Sequence, residues 1–175
     1  MADRLRPKGF TVIEILVVIG IIGVLTTIAS VGSMRAREKA KEAKAQEDLS
    51  VIRTAVAMLV QDTGKWPNGC PVDSDFFQPV DLGSVQAGLL ERPAPDVQED
   101  GCFWSEGDVS RWNGPYATFR NDPWGNDYTL RSGYEPFGSC PSREARSAQA
   151  ALVSMGPDGG DGAGEGCDDL WLGLR

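Results

Sequence analysis

The stretch FTVIEILVVIGIIGVLTTIASV, residues 10–31, decides the fold. It is an almost unbroken apolar run whose single charge is Glu14. At ~1.5 Å per helical residue it is about 33 Å long, enough to cross a hydrocarbon core. A cleavable secretory core would be shorter and would lead into a small-x-small cleavage site. An acid inside such a span costs about 2.5–3.5 kcal/mol on insertion scales, which marks Glu14 as functional. The bland alternative is a charge just inside the headgroup boundary, a turn from the polar flank.

Downstream of the run the helix continues. From Arg35 to Gln46 charges alternate with alanines, in i,i+3 pairs such as Arg35–Glu38, Glu38–Lys41 and Lys39–Glu42, and no Gly or Pro intervenes. From Ala45 an apolar stripe at Leu49, Ile52, Val56 and Leu59 has the spacing that lets one helix face dock on a core. Asp62-Thr63-Gly64, followed by Pro67, is a glycine C-cap and then a breaker. One helix is therefore predicted from Phe10 to about Thr63, its first half (10–34) a span and its second half (35–63) the spine of a head comprising 35–175.

Residues 64–113 are rich in Pro, Gly, Asp and isolated aromatics and lack periodicity. They read as a long variable loop with one small helix around 85–90, because a structureless loop of that length is unusual in a compact domain. Order resumes in 114–175. Asp122-Pro123-Trp124-Gly125-Asn126 is turn chemistry, with Pro fixing φ and Gly freeing it. Three short strands are predicted, at 128–130, 151–155 and 170–174, giving a small antiparallel sheet for the helix stripe to cover. The expected fold class is α+β.

Composition narrows the function. The chain has 175 residues, room for one modest domain beside the helix. Its formal net charge is -8, and without residues 1–9, which carry three positive charges and one negative, it is -10. That acidity argues against nucleic acid as a partner. The absence of histidine removes Ser-His-Asp and Cys-His catalysis and His-based zinc sites. No pair of acids carries a pocket signature, so no enzyme is expected. Trp124, Tyr128 and Trp171 read as packing rather than as a carbohydrate surface. Cys70, Cys102, Cys140 and Cys167 form no C-x-x-C pair. Beyond a membrane they suggest two disulfides in one of three connectivities, and sequence proximity favours Cys70–Cys102 with Cys140–Cys167. Between Asp158 and Asp169 lie five acids among glycines, hard oxygen ligands on a permissive backbone. Composition alone leaves two readings open there, a solvated acidic loop or a Ca²⁺ site.

Ahead of the apolar run stands a short basic leader, Arg4, Arg6, Pro7, Lys8 and Gly9, residues 1–9 in all. Lys8-Gly9-Phe10-x-x-x-Glu14 heading a long apolar run resembles the type IV prepilin signature. The resemblance implies that a prepilin peptidase cuts between Gly9 and Phe10, that Phe10 becomes N-methylated, and that Glu14 pairs with the new ammonium of a neighbouring subunit during assembly. Gly114-Pro115-Tyr116, the Asp122–Asn126 turn and Ser154-Met155-Gly156-Pro157-Asp158-Gly159 are similar to the major pseudopilins of type II secretion systems. Residues 65–113 lie outside that likeness. The cysteines are a departure from the pattern, as is the lack of a proline at Val31.

The resemblance implies a single-pass protein of the bacterial inner membrane with a periplasmic head, polymerising with itself into a periplasmic filament that drives protein export. The implied partners are minor pseudopilins, the prepilin peptidase and an inner-membrane platform with a cytoplasmic ATPase. The alternative within the same fold is a type IV pilin of a surface fibre used for adhesion, motility or DNA uptake. For the acidic loop the resemblance favours Ca²⁺, held by Asp158, Asp161, Asp168 and Asp169 with a backbone carbonyl near Met155.

Overall fold

The computed structural model describes residues 9–72, 79–96, 102–119, 121–134, 148–160 and 169–174. The chain divides into two compact units, Met1–Ala40 and Lys41–Arg175. Helix α1, Val12–Thr63, belongs to both.

Past Glu14, the part of α1 from Ile15 to Leu25 is apolar on every side. Ile15, Leu16, Val17 and Val18, four consecutive residues that point in all directions around a helix, are each half exposed or more. A helix of that kind needs apolar surroundings. The hydroxyls within it are satisfied internally: Thr26 Oγ1 donates to the Ile22 carbonyl at 2.7 Å and Thr27 Oγ1 to that of Gly23 at 2.9 Å. Among the described residues no helix is long and apolar enough to cross a membrane. The span expected at 10–34 is therefore not met by them alone. Positions 12–27 are apolar apart from Glu14, Thr26 and Thr27 and fall short of the ~20 residues a span needs, and the side chains of 28–32 lie outside the described residues.

The second unit is an α+β head. Its sheet has four antiparallel strands in the order β1-β2-β3-β4, namely β1 Val80–Asp81, β2 Thr129–Tyr134, β3 Ala148–Ser154 and β4 Leu170–Leu174. The register aligns Val80, Leu130, Leu152 and Leu172 in one row across the sheet. That row and the α1 stripe share one core, in which Ala45, Leu49, Ile52, Val56 and Leu59 are all buried. Each large aliphatic among them contributes about 1.5–3 kcal/mol through burial. Ala151 and Val153 point to the opposite face and pack with Trp171. Tyr128 is buried, and its hydroxyl donates to Asp48 Oδ2 on α1 at 3.1 Å, while Lys44 Nζ holds the other oxygen at 2.7 Å. Burial first and then the Asp48 charge push the Tyr128 phenol far upward, so it stays a donor.

The end of α1 is built as its sequence implies. Gly64 adopts φ +75° and its N–H donates to the Val60 carbonyl at 2.9 Å. What the sequence reading missed is the partner that finishes the cap. Arg111 donates to the Thr63 carbonyl and to Asp108 Oδ1, both at 2.8 Å. Arg111 ends a short helix, α2 (Glu106–Arg111), which opens with a capping box between Ser105 and Asp108. The helix expected around 85–90 is only a 3₁₀ turn, Val85–Ala87, and the helix of the variable stretch stands here instead. Strand β1 is a second addition, too short for alternation to reveal.

The variable stretch is stapled by a disulfide, Cys70–Cys102, with Cα atoms 4.4 Å apart. Beside it Gly69 (φ +74°) faces the Phe103 backbone, and a Cβ there would lie 2.6 Å from the Phe103 carbonyl carbon. Trp104 follows, buried, its indole donating to the Gln86 carbonyl at 2.7 Å. Tyr116 donates to Asp62 Oδ2 at 2.8 Å, and burial, reinforced by Asp62, pushes its phenol up to about 12. Cys140 and Cys167, the second expected pair, lie outside the described residues.

Candidate functional site

Two places carry the residues singled out by sequence. The first is the start of α1. Gly9 and Phe10 precede the helix in an exposed, non-helical segment, with Phe10 82% exposed and nothing within 4 Å of a Cβ placed on Gly9. This junction is open to a protease. Leader residues 1–8 lie outside the described residues.

Glu14 has a local role that the sequence reading passed over. Its Oε2 accepts from the Thr11 N–H and from Thr11 Oγ1, both at 3.2 Å, and the Glu14 N–H donates back to Thr11 Oγ1 at 3.3 Å. This is a reciprocal capping box, and Thr11-x-x-Glu14 ahead of an apolar run is its signature. The carboxylate is thereby held at the positive end of the helix dipole, one turn from the residue that cleavage would turn into an ammonium. On the next turns Val17, Gly20, Ile21, Val24 and Leu25 line a shallow apolar hollow.

The second place is the connection between β3 and β4. Ser154 pairs with Leu170 at the end of that ladder, so Met155 and Asp169 stand one step beyond on facing strands. Asp169 is buried, 1% exposed. Asp158 sits in the turn leaving β3, where its Oδ1 accepts from the Gly160 N–H at 3.0 Å. Asp161 and Asp168 lie outside the described residues. Among the described residues no group of three or more Asp, Glu, Cys or His side chains stands together as a metal cage.

The base of this connection is clamped by the Asp122–Asn126 turn. Asp122 is buried. Its Oδ1 accepts from the backbone N–H groups of Trp124 (3.0 Å) and Asn126 (2.8 Å), and its Oδ2 accepts from Ser154 Oγ at 2.7 Å. Asn126 Nδ2 donates to the Gly156 carbonyl at 2.7 Å, and a Cβ on Gly159 would lie 3.0 Å from Asn126 Oδ1. One carboxylate thus shapes a turn and fastens it to the strand that launches the acidic loop. Sequence reading recognised the turn and missed the fastening, which joins residues 32 apart. Asp122→Ala would orphan three donors, the Ser154 hydroxyl buried and the Trp124 and Asn126 N–H groups half-buried, and is expected to destabilise the head by about 2–4 kcal/mol. Asp122→Asn, which keeps the shape and an acceptor, should fall between. A thermal melt of the two variants checks this, and equal melting of Asp122→Ala and the parent would show that the carboxylate does not hold the turn.

Comparison with known proteins bears on both places. Residues 4–30 match the prokaryotic N-terminal methylation motif. Type II secretion system core protein G of Klebsiella pneumoniae is 29% identical over 155 residues, covering 88% of this chain and 87% of that protein. The protein of the same name from Pectobacterium carotovorum subsp. carotovorum is 29% identical over 156 residues, covering 88% and 78%. The chain thus carries a prokaryotic N-terminal methylation motif and is similar over most of its length to type II secretion system core protein G. Among solved structures, the major pseudopilin from the type 2 secretion system of enterohaemorrhagic Escherichia coli is similar, with a TM-score of 0.45, 22% identity, and 79% of this chain and 90% of that one covered. The motif match takes in the Gly9–Phe10 junction, Glu14 and most of the apolar run. The matches to core protein G extend the likeness over the head.

Proposed function

We propose that this chain is the structural subunit of the pseudopilus of a type II secretion system, polymerising to drive protein export across the outer membrane. The observation that carries the reading is the joint occurrence of the methylation motif at residues 4–30 with similarity to core protein G over 88% of the chain. Before assembly the apolar half of α1 lies in the inner membrane and the head in the periplasm. Prepilin peptidase cuts between Gly9 and Phe10. In the fibre, apolar helices from neighbouring subunits bury one another, and Glu14 neutralises the ammonium of an adjacent Phe10. Leaving either charge unpaired in that low-dielectric core would be costly, which fixes the stagger between subunits. Minor pseudopilins and a membrane platform with a cytoplasmic ATPase complete the machine. The role is mechanical rather than enzymatic. The test is deletion in the native host, scored for loss of secretion of folded proteins, and restoration by the intact gene. Undiminished secretion together with loss of a surface fibre would reassign the chain to a pilus.

The acidic loop fits Ca²⁺ by the chemistry of its donors. Asp158, Asp169 and the backbone carbonyl of Met155 belong to the two ends of the β3–β4 connection and would offer hard oxygens, and Met155 and Asp158 each neighbour a permissive glycine. Asp161 and Asp168 are the further candidate ligands. Bound there, Ca²⁺ supplies the positive charge that offsets the mutual repulsion of these acids. Asp169 and the clamp at Asp122 hold the two ends of the loop in place for it. Melting of the head, residues 35–175, is expected to rise in Ca²⁺ relative to EGTA, by about 2.7 kcal/mol of stability at a hundredfold excess over Kd. No rise, or an equal one in Mg²⁺, would return the loop to a solvated acidic segment.

A further inference from the structure

Charge is distributed unevenly along this chain. Positions 41–175 carry eleven Lys and Arg against twenty-two Asp and Glu, a net -11. Positions 35–40 carry Arg35, Arg37 and Lys39 against Glu38, a net +2. All three cations are exposed. They lie on the same helix as the exposed apolar residues and follow them directly, beginning one residue after Met34. At 100° per residue Arg35 and Lys39 share one side of α1 and Arg37 lies across from them. The cations thus ring the helix rather than forming a stripe. Their axial spread, from 35 to 39, is about 6 Å. The headgroup layer on one side of a bilayer is about 5–7 Å thick, the difference between the full and hydrocarbon thicknesses shared between two faces.

From this geometry we propose that Arg35, Arg37 and Lys39 form a collar that binds anionic phospholipid headgroups on the face of the membrane from which the helix emerges. The proposal rests on the membrane-anchored reading above. Guanidinium and ammonium groups pair with lipid phosphates by charge-assisted hydrogen bonds, and a ring of them suits a helix that passes through the headgroup plane. The acidic head is repelled by the same surface. One lipid layer therefore grips the stalk and holds off the rest of the chain. Lys41 is left outside the collar, because its Nζ lies over the Trp124 ring at 5.9 Å. An anionic bilayer would stabilise the unassembled subunit, and extraction into a fibre must break these contacts.

The test uses the full chain incorporated into vesicles of phosphatidylcholine or of phosphatidylcholine mixed evenly with phosphatidylglycerol. Trypsin cleavage after Lys39 is compared with cleavage after Arg53, an exposed reference site in the head, and both are read by mass spectrometry. Phosphatidylglycerol should slow the cut at Lys39 relative to Arg53, and high salt should restore it. In the double variant Arg35→Gln, Arg37→Gln, with Lys39 kept as reporter, the slowing should weaken by about fivefold per cation removed. An unchanged ratio between the two vesicle types, or a slowing that survives in the variant, would overturn the collar. A chain that floats with neither vesicle would instead overturn the anchored reading on which it rests. Protection of Lys39 that appears only in lipid-free fibres would assign the cations to carboxylates of neighbouring subunits and also overturn the proposal.

Discussion

Glu14→Ala is expected to abolish fibre formation and leave the melting of the head unchanged. The residue lies in the first unit, whereas the core of Leu49, Ile52, Leu59, Tyr128, Leu130 and Leu152 lies wholly in the second. Removing the carboxylate takes away two things at once. One is the capping box with Thr11, worth about 1 kcal/mol of local helix stability. The other, on the proposed function, is neutralisation of a neighbour's terminal ammonium, whose loss in a low-dielectric core would cost about 3–5 kcal/mol per contact. Glu14→Gln separates them, since an amide oxygen can still accept from Thr11 but carries no charge. The account expects Gln to fail nearly as completely as Ala when fibres are counted by electron microscopy after sedimentation. Wild-type fibre yield from Glu14→Gln would reduce Glu14 to a helix cap.

The second large effect is expected at the staple. Cys102→Ser opens a loop of sequence separation 32, which the chain-entropy model values at about 3–4 kcal/mol. For a head of this size that is a fall of about 10–15 °C in melting temperature. The physical consequence is local before it is global. Cys70 and Cys102 are buried next to Gly69 and Trp104, so the unbridged Cys70 thiol and the new serine hydroxyl would loosen the close approach of Gly69 to Phe103 and the packing of Trp104. Reducing agent should reproduce the shift in the parent and have a smaller effect on Cys102→Ser. A parent that melts at the same temperature with and without reductant would show that the bridge contributes nothing to stability.

Much of this architecture was legible from periodicity. The stripe from Ala45 to Leu59 and the glycine stop at Gly64 are local signals, set by the helix repeat and by a positive φ, and the structure places them as read. Three of the four strands were visible as short apolar runs between turn residues. Other features left a weak mark in the sequence or none. Strand β1 has two residues, so alternation cannot announce it. Helix α2 is announced only by its capping box, Ser105-x-x-Asp108, inside a stretch otherwise full of breakers. The capping role of Glu14 was masked by its more conspicuous position in an apolar run. The fastening of Asp122 to Ser154 joins two elements that only the folded sheet brings together. Long-range hydrogen bonds leave no spacing in a sequence, whereas turns and helix faces do.

On the proposed function this chain is cut and then polymerises through the end that cutting creates. Intact-mass analysis of subunits recovered from assembled fibres tests it most directly. The account predicts a single species beginning at Phe10 and carrying one N-methyl group. Fibres whose subunits retain Met1–Gly9 would contradict it.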